Sequence, residues 1–474
     1  MRVAQLSARL ASTRYRFVKG RGIFAQSFYS SAQMGSVKTG QEAPPAWFQR
    51  IVEDDTAPPK LYAWTPRNLS IEGGAVADTV SKTATAADTD ASHRIYILGV
   101  GNIGRLYAMC LSSLADSPPI TLVVHRRELL ERWAASPGIE LTRYGQVHKN
   151  AAFDVEWWTD VAPPGSPAEV AAGKHIDNLV IATKAGDAVP QVDRVRRYLG
   201  NRSTVAFAQN GMCKLWPPVG AAYVRTRFPH GTSPNWIACV TMHGVTSQGP
   251  FKSIHAAPAN ALVGPVVAGG AGGEGAGYLL RTIADAPDLN ARQVSQKELW
   301  IAQLEKLVVN AIINPLTAVL RCKNGELLVS RDDALSAVID KLLSEASEIL
   351  GALILDSRSN EILLSGSLDM GKSAGESTTQ SLRASREQLL ERFSFPQLRR
   401  MILDVGAKVG ANTSSMLQDV QAGKLTEIDD FNGWLVDTAR LLGNGLRSPT
   451  HEKLIALIKE KVTLTRHELC EKLL

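Results

Sequence analysis

The sequence predicts a doubly wound α/β domain followed by an all-helical domain, and three observations carry that prediction. Short β-rich apolar runs alternate with helical stretches from Arg94 to about residue 208, a glycine-rich turn separates the first run from the first helix, and beyond about residue 277 only long helical periods remain. The 474 residues, 45% of them hydrophobic, suffice for two or three domains with sizeable cores. Five scattered cysteines without CxxC or Cys/His spacing argue against a disulfide framework or a zinc site and for a reducing compartment. No apolar run approaches the roughly 18 to 20 residues that span a bilayer.

The net charge of +6 is concentrated at one end. Residues 1–40 hold Arg2, Arg9, Arg14, Arg16, Lys19, Arg21 and Lys38, with no acid before Glu42. The remainder is close to neutral and has no basic stripe, so a nucleic-acid partner is not expected. On a helix, Val3, Leu6, Leu10 and Phe17 form an apolar stripe flanked by arginines, the composition of a mitochondrial transit peptide, with Ser27–Ser31 as a processing zone. A matrix location follows from that reading, and a cytoplasmic one if 1–40 is instead a disordered basic tail. Residues 41–92, rich in Pro, Thr, Ala and Asp, read as linker, with docking of Trp47 and Trp64 left open.

The α/β domain is assigned to 93–270, with strands over 94–98, 121–125, 178–183 and 204–208. Segments broken by Gly and Pro over 239–264 are expected to close the sheet as antiparallel strands, and the Gly/Ala-rich loop 268–277 marks the boundary. The helical domain, 271–474, is expected to carry helices over 278–284, 296–320, 333–353, 385–405, 427–442 and 451–460, with 356–384 as a surface insertion.

Gly99-Val100-Gly101-Asn102-Ile103-Gly104 follows the apolar run Ile95–Leu98 and leads into a helical run. In this context the motif is a Rossmann-type dinucleotide site: one glycine for the turn, one for approach of the pyrophosphate, one for packing helix against strand. At the end of the second strand stand His125-Arg126-Arg127, with no acid before Glu128. An arginine there suits a 2′-phosphate, so NADPH is favoured over NADH, although both arginines would also suit a solvated helix start. Lys184 and Asn210 close the third and fourth strands at the same crevice, where ordinary turn roles compete with functional ones.

In the run 299–320, Lys306, Asn310 and Asn314 recur at four-residue spacing with only apolar residues between them. A polar stripe one residue wide is too narrow for a solvated face, so it lines either a cleft or a structural interface with the first domain. A lysine so placed loses affinity for its proton and becomes a candidate general acid. Asn412-Thr413-Ser414-Ser415 and Thr426-Glu427 precede later helices as N-caps, and a serine-rich cap also suits a carboxylate.

Together these residues resemble the ketopantoate reductase (2-dehydropantoate 2-reductase) family over about 93–470, in a long, fungal-like mitochondrial form. The resemblance is carried by GVGNIG, TKAGD from Thr183, AQNGM from Ala208, KLVVNAIINPLTAVLRCKNGEL from Lys306 and NTSSMLQDVQAGKLTEIDDFNG from Asn412. It implies a helical domain of the 6-phosphogluconate dehydrogenase-like kind. It also implies NADPH-dependent reduction of 2-dehydropantoate to pantoate, on the way to pantothenate and coenzyme A. Lys306 would protonate the keto oxygen and Glu427 would hold or polarise substrate. Asn310, Asn314 and Asn324 would line the pocket, and Ser415 with Asn412 would bind the substrate carboxylate and hydroxyl. Gly99, Gly101, Asn102, Ile103 and Gly104 would cradle the cofactor, Lys184 and Asn210 would contact it, and Arg126 would bind its 2′-phosphate. No metal is implied, the partner is a small 2-keto acid, and a homodimer is allowed. Departures near 160–175, 266–277 and 356–384 bear on the cleft mouth, so another branched 2-keto acid remains an alternative substrate. A non-catalytic mitochondrial regulatory or RNA-associated protein on the same fold would show damaged motifs and a basic surface; here Lys306, Glu427 and the three glycines are intact.

Overall fold

The structure, a computed structural model, describes residues 45–72, 91–165, 167–267, 274–329, 332–365 and 376–474. The expected presequence, 1–40, lies outside the described residues.

Where a linker is expected, residues 45–72 instead form ordered elements: α1 (Ala46–Glu53), β1 (Tyr62–Trp64) and α2 (Pro66–Glu72). Phe48 and Ile51 of α1 enter the core, and β1 pairs antiparallel with β6 (Asp154–Thr159) as the outermost strand on that side of the main sheet. A three-residue strand has no periodicity to reveal it in the sequence.

The sheet domain continues with β2 (Ile95–Leu98), α3 (Asn102–Leu111), β3 (Ile120–Val124), α4 (Arg127–Ala135), β4 (Ile139–Arg143), β5 (Gln146–Asn150) and β6 (Asp154–Thr159). Then come β7 (Asn178–Ile181), α5 (Ala185–Val195), β8 (Thr204–Phe207), α6 (Gly220–Arg227), β9 (Asn235–Thr241), β10 (Gly244–Ser247), β11 (Lys252–Ala257), β12 (Ala261–Pro265), α7 (Glu274–Asp285) and β13 (Ala291–Gln293). The nine-stranded sheet has the order β1-β6-β3-β2-β7-β8-β9-β12-β13, and its six strands from β6 to β9 are parallel. The chain builds outward from β2 through β3 and then returns to β7 on the other side. The strand order therefore reverses between β2 and β7, and their carboxyl ends open the crevice where such sheets bind ligands.

Of the segments expected to close this sheet as antiparallel strands, β12 does so by pairing with β9, whereas β9 itself runs parallel to β8. β10 and β11 leave it to form a second sheet of order β10-β11-β4-β5. The boundary also lies further along than expected, because β13 pairs with β12 and keeps α7 and β13 in the sheet domain. The two faces of the sheet bury alternate residues of each strand: Ile95, Ile97 and Val180 under α3 and α7, and Tyr96, Leu98 and Ile181 under α5.

The helical part comprises α8 (Gln296–Leu320), α9 (Ala334–Leu355), α10 (Asn360–Leu364), α11 (Glu376–Arg392), α12 (Phe395–Val409), α13 (Ser415–Gln421), α14 (Ile428–Leu442), α15 (Pro449–Lys459) and α16 (Arg466–Leu473). α8 spans the length expected and runs on through Pro315. A capping box starts it, with Ser295 accepting from the Glu298 N–H and Glu298 reaching back. Leu299, Trp300, Leu304, Leu307, Val308 and Ala311 are at most 1% exposed, each large side chain contributing roughly 1.5–3 kcal/mol, so α8 is the axis about which the other helices pack. The single helix expected over 385–405 is two, α11 and α12, broken where Ser394 caps a helix with Pro396 in its first turn. The expected insertion 356–384 is partly helical, holding α10 and the start of α11. No described helix is long and apolar enough to cross a membrane.

Candidate active site

Between β2 and α3 the three glycines are set apart by what a side chain would meet. Gly99 has φ +102°, and a Cβ there would stand 2.8 Å from the Ala182 carbonyl. At Gly104 it would stand 2.0 Å from the Gly99 carbonyl oxygen, so helix and strand approach this closely only because residue 104 is glycine. At Gly101 it would meet nothing within 4 Å. Gly101 caps α3 without a side-chain acceptor for the first-turn N–H groups, which suits an anion at that helix start. A dinucleotide pyrophosphate fits this cradle.

The Asn102 side chain is committed elsewhere, donating to the Val245 carbonyl at 3.1 Å and accepting from Ser253 at 3.2 Å. Only its backbone is left to the cradle, while Ile103 packs into the core beneath it. Sequence reasoning missed Arg105, whose buried guanidinium bonds the carbonyls of Gly101, Gly249 and Lys252 and so ties the glycine loop to the second sheet. The arginine four residues after Gly101 was the available signal.

The two arginines beyond β3 separate. Arg127 bonds Glu131 at 2.8 Å and lies over the Trp64 ring at 5.6 Å, fastened to α4 and the N-terminal arm. Arg126 caps α4 with its side chain 60% exposed, 3.9 Å from Glu128.

The carboxyl ends of β7, β8 and β9 meet α8 and the α13–α14 region. Lys306 on α8 is partly buried, its Nζ 3.1 Å from Asn210 Oδ1 and 2.5 Å from the Thr241 carbonyl. Burial pushes the ammonium down from 10.5 to about 8, opposed by the charge of Glu427. Lys184, which caps α5, crosses to the helical domain and bonds Asp419 at 2.6 Å and the Leu425 carbonyl at 2.5 Å. Glu427, at the start of α14 and 8% exposed, faces the same end of α5, its Oε1 3.5 Å from the Ala185 N–H. Burial pushes its carboxyl up, Lys184 draws it down and Asp430 adds to the rise.

Asn314, 7% exposed, places its amide nitrogen 3.4 Å from both Asn310 Oδ1 and Ser415 Oγ, so these three form one polar row one to two turns along α8 from Lys306. Asn324 and Asn412 do not join it. Asn324 is buried and donates its side-chain amide to the Val409 carbonyl at 3.3 Å and its backbone N–H to the Asn412 carbonyl at 3.1 Å. Together they clasp the loop before α13, and the Asn324 side-chain oxygen is buried without a hydrogen-bond partner. Ser414, not Ser415, caps α13: it accepts from the Leu417 N–H at 3.1 Å and pairs with Thr317 at 2.7 Å. The Ser415 hydroxyl is thereby left on the exposed side. The structure thus gathers Lys306, Asn210, Glu427, Lys184, Asn310, Asn314 and Ser415 between the crevice and the helical domain, and adds Asp419, Asp430 and the Thr241 carbonyl, none of them chosen from the sequence.

Such a site can bind an anion at a helix start, hold a charged lysine whose proton is weakly retained, and offer amide and hydroxyl donors beside it. Two family models match the chain, ketopantoate reductase PanE/ApbA over residues 95–267 and ketopantoate reductase PanE/ApbA C terminal over residues 298–462. Ketoisovalerate reductase BEA2 of Gibberella fujikuroi is 45% identical over 449 residues, covering 91% of this chain and 99% of that protein. The probable 2-dehydropantoate 2-reductase of Schizosaccharomyces pombe is 28% identical over 397 residues, covering 79% and 98% respectively. The solved structure of D-mandelate dehydrogenase with NADH and anilino(oxo)acetate superposes with a TM-score of 0.54 at 16% identity, over 78% of this chain and 97% of that one, which shows a shared fold.

Proposed function

This chain belongs to the ketopantoate reductase family of oxidoreductases, and from that premise we propose that it reduces a branched 2-keto acid with NADPH, 2-ketoisovalerate ahead of ketopantoate. The order of substrates rests on one observation: identity of 45% to a protein named ketoisovalerate reductase, over nearly the whole of both chains, against 28% to one named for 2-dehydropantoate. The polar row of Asn310, Asn314 and Ser415 favours the second substrate, since ketopantoate carries a hydroxymethyl group that those side chains suit.

Gly99, Gly101, Gly104 and the start of α3 would hold the pyrophosphate, and Arg126 the 2′-phosphate through paired N–H donors. When bound, the nicotinamide would supply the hydride that the reduction needs. Lys306 delivers the proton to the keto oxygen, so a 2-hydroxy acid leaves and the lysine is left neutral. Asn210 and the Thr241 carbonyl hold its Nζ in place, which fixes the direction of proton delivery. With its pKa near 8, the lysine recovers a proton from solvent readily between turnovers. Glu427 keeps it charged until substrate arrives, and the amides of Asn310 and Asn314 with the Ser415 hydroxyl orient the substrate.

The test is NADPH oxidation followed by absorbance, with both keto acids at matched concentrations. The proposal expects kcat/KM for 2-ketoisovalerate to exceed that for ketopantoate by about tenfold or more, the size of preference a hydroxyl-sized change supports. The reverse ratio would assign the chain to pantoate formation.

A further inference from the structure

We propose that the N-terminal arm is a positioning element for the keto-acid site: Trp47 covers and holds the Lys214–Asp430 ion pair, and that pair keeps the first turn of α14, with Glu427, against the start of α5. The inference rests on the reading of Glu427 as part of the substrate site. The arm precedes the residues matched by either family model, so the family resemblance gives it no role.

The arm is firmly seated. Phe48 is 4% exposed, the Asp54 carbonyl accepts from Arg227 at 2.6 Å, and the Leu61 N–H donates to the Tyr198 hydroxyl at 2.8 Å. From α1, the Trp47 ring lies 4.9 Å from Lys214 Nζ. Lys214 is 13% exposed and stands 3.4 Å from Asp430 Oδ1, itself 11% exposed. A lysine held between an aromatic face and a carboxylate, both shielded from water, is bound more tightly than a surface pair.

Asp430 in turn accepts from the Gly186 N–H and packs so closely that a Cβ on Gly186 would lie 3.2 Å from Oδ2. The neighbouring amide, Ala185, faces Glu427 at 3.5 Å. Consecutive N–H groups at the start of α5 therefore meet two carboxylates three residues apart on α14. Two such charges repel, and Lys184 on one side and Lys214 on the other make the arrangement tenable. Asp437, one to two turns further along α14, adds a third negative charge that Lys214 also attracts.

The test uses the full-length chain with Trp47→Ala, Trp47→Phe, Lys214→Met, Lys214→Arg and the double change Lys214→Met/Asp430→Asn, which removes both charges of the pair should Lys214→Met not fold. Two readouts are taken: steady-state kinetics with NADPH and 2-ketoisovalerate, and hydrogen–deuterium exchange of α14 and α9. Trp47→Ala should lower kcat/KM for the keto acid about two- to fivefold, the size of one cation–π contact, with NADPH affinity unchanged and with recovery in Trp47→Phe. Exchange at Asp430–Gly433 should rise in Trp47→Ala and in the double variant and stay low in Lys214→Arg, while α9 is unchanged. Unaltered exchange at Asp430–Gly433, or an equal rise in α9, would overturn the proposal. If the wild type turns over no keto acid, the functional reading fails, and the exchange result still decides the role of the arm.

Discussion

Lys306 can deliver a proton only while it is charged, so reduction must slow as pH rises through its pKa of about 8. The drop from 10.5 to about 8 corresponds to roughly 3 kcal/mol against the ammonium, set mainly by burial and already net of the help from Glu427. A group of this pKa is about nine-tenths protonated one pH unit below its midpoint and about one-tenth protonated one unit above. At saturating NADPH, kcat/KM for the keto acid should therefore fall about tenfold across those two units and about tenfold again over the next. Glu427→Gln removes the charge that raises the Lys306 pKa, so the alkaline limb should move to lower pH. The variant's deficit should accordingly widen between the plateau and the wild-type midpoint. The assay is NADPH oxidation in constant-ionic-strength buffers with both proteins. A wild-type profile flat to the ordinary lysine range, or a limb that stays put in Glu427→Gln, would refute the assignment of Lys306 as acid and of Glu427 as its support.

Gly104→Ala and Gly101→Ala should fail differently. The first forces a Cβ to 2.0 Å from the Gly99 carbonyl and should cost about 1–3 kcal/mol in a thermal melt, whereas the second has open space, should leave the melt unchanged and should weaken NADPH binding by filling the cradle. If Arg126 holds the 2′-phosphate as proposed, Arg126→Ala should weaken NADPH about 10- to 100-fold in a fluorescence titration, the size of a charge-assisted contact to phosphate, and leave NADH unchanged. The buried pair His243 and His255 should make the fold acid-sensitive. Leu289 offers His243 Nε2 only a carbonyl and Arg143 offers His255 Nδ1 only a donor, so the 2.9 Å bond between the rings runs from His255 to His243 with both neutral. Burial pushes His255 from 6.5 to about 4, so the unfolded chain takes up its proton first. Stability is full above 6.5 and should decline by up to roughly 3 kcal/mol as pH falls toward 4, read as a falling urea midpoint that flattens in His255→Gln.

The axis of the site was legible because it is written locally. Ser295 and Glu298 mark the start of α8, and a polar stripe one residue wide between Lys306 and Asn314 is too narrow for a solvated face and so points to a lined cleft or an interface with the first domain. The glycine loop was legible for the same reason, as strand, turn and helix are contiguous. What escaped was set by contacts between distant segments. Asp419 and the Leu425 carbonyl matter only because Lys184 reaches them from the other domain, and Arg105 only because the second sheet folds over the glycine loop. The tyrosine and two tryptophans of the N-terminal arm are ordinary loop aromatics until β1 finds the open edge of β6. Asn324 was singled out by its motif position, which carries no information on the bonds its donors make to the backbone of Val409 and Asn412. The break between α11 and α12 was visible in Ser394 and Pro396 and was hidden by the apolar period running across it.

The most direct test of the account is single-turnover reduction of 2-ketoisovalerate by full-length protein preloaded with NADPH, comparing wild type with Lys306→Met. The account predicts that both proteins bind NADPH alike, that the wild type converts the keto acid to the 2-hydroxy acid, and that the variant is slower by about 100- to 10,000-fold, the usual contribution of a positioned proton donor. Turnover in Lys306→Met within a few-fold of wild type would contradict it, because the proton would then come from somewhere other than the lysine that stands against Asn210 and the Thr241 carbonyl.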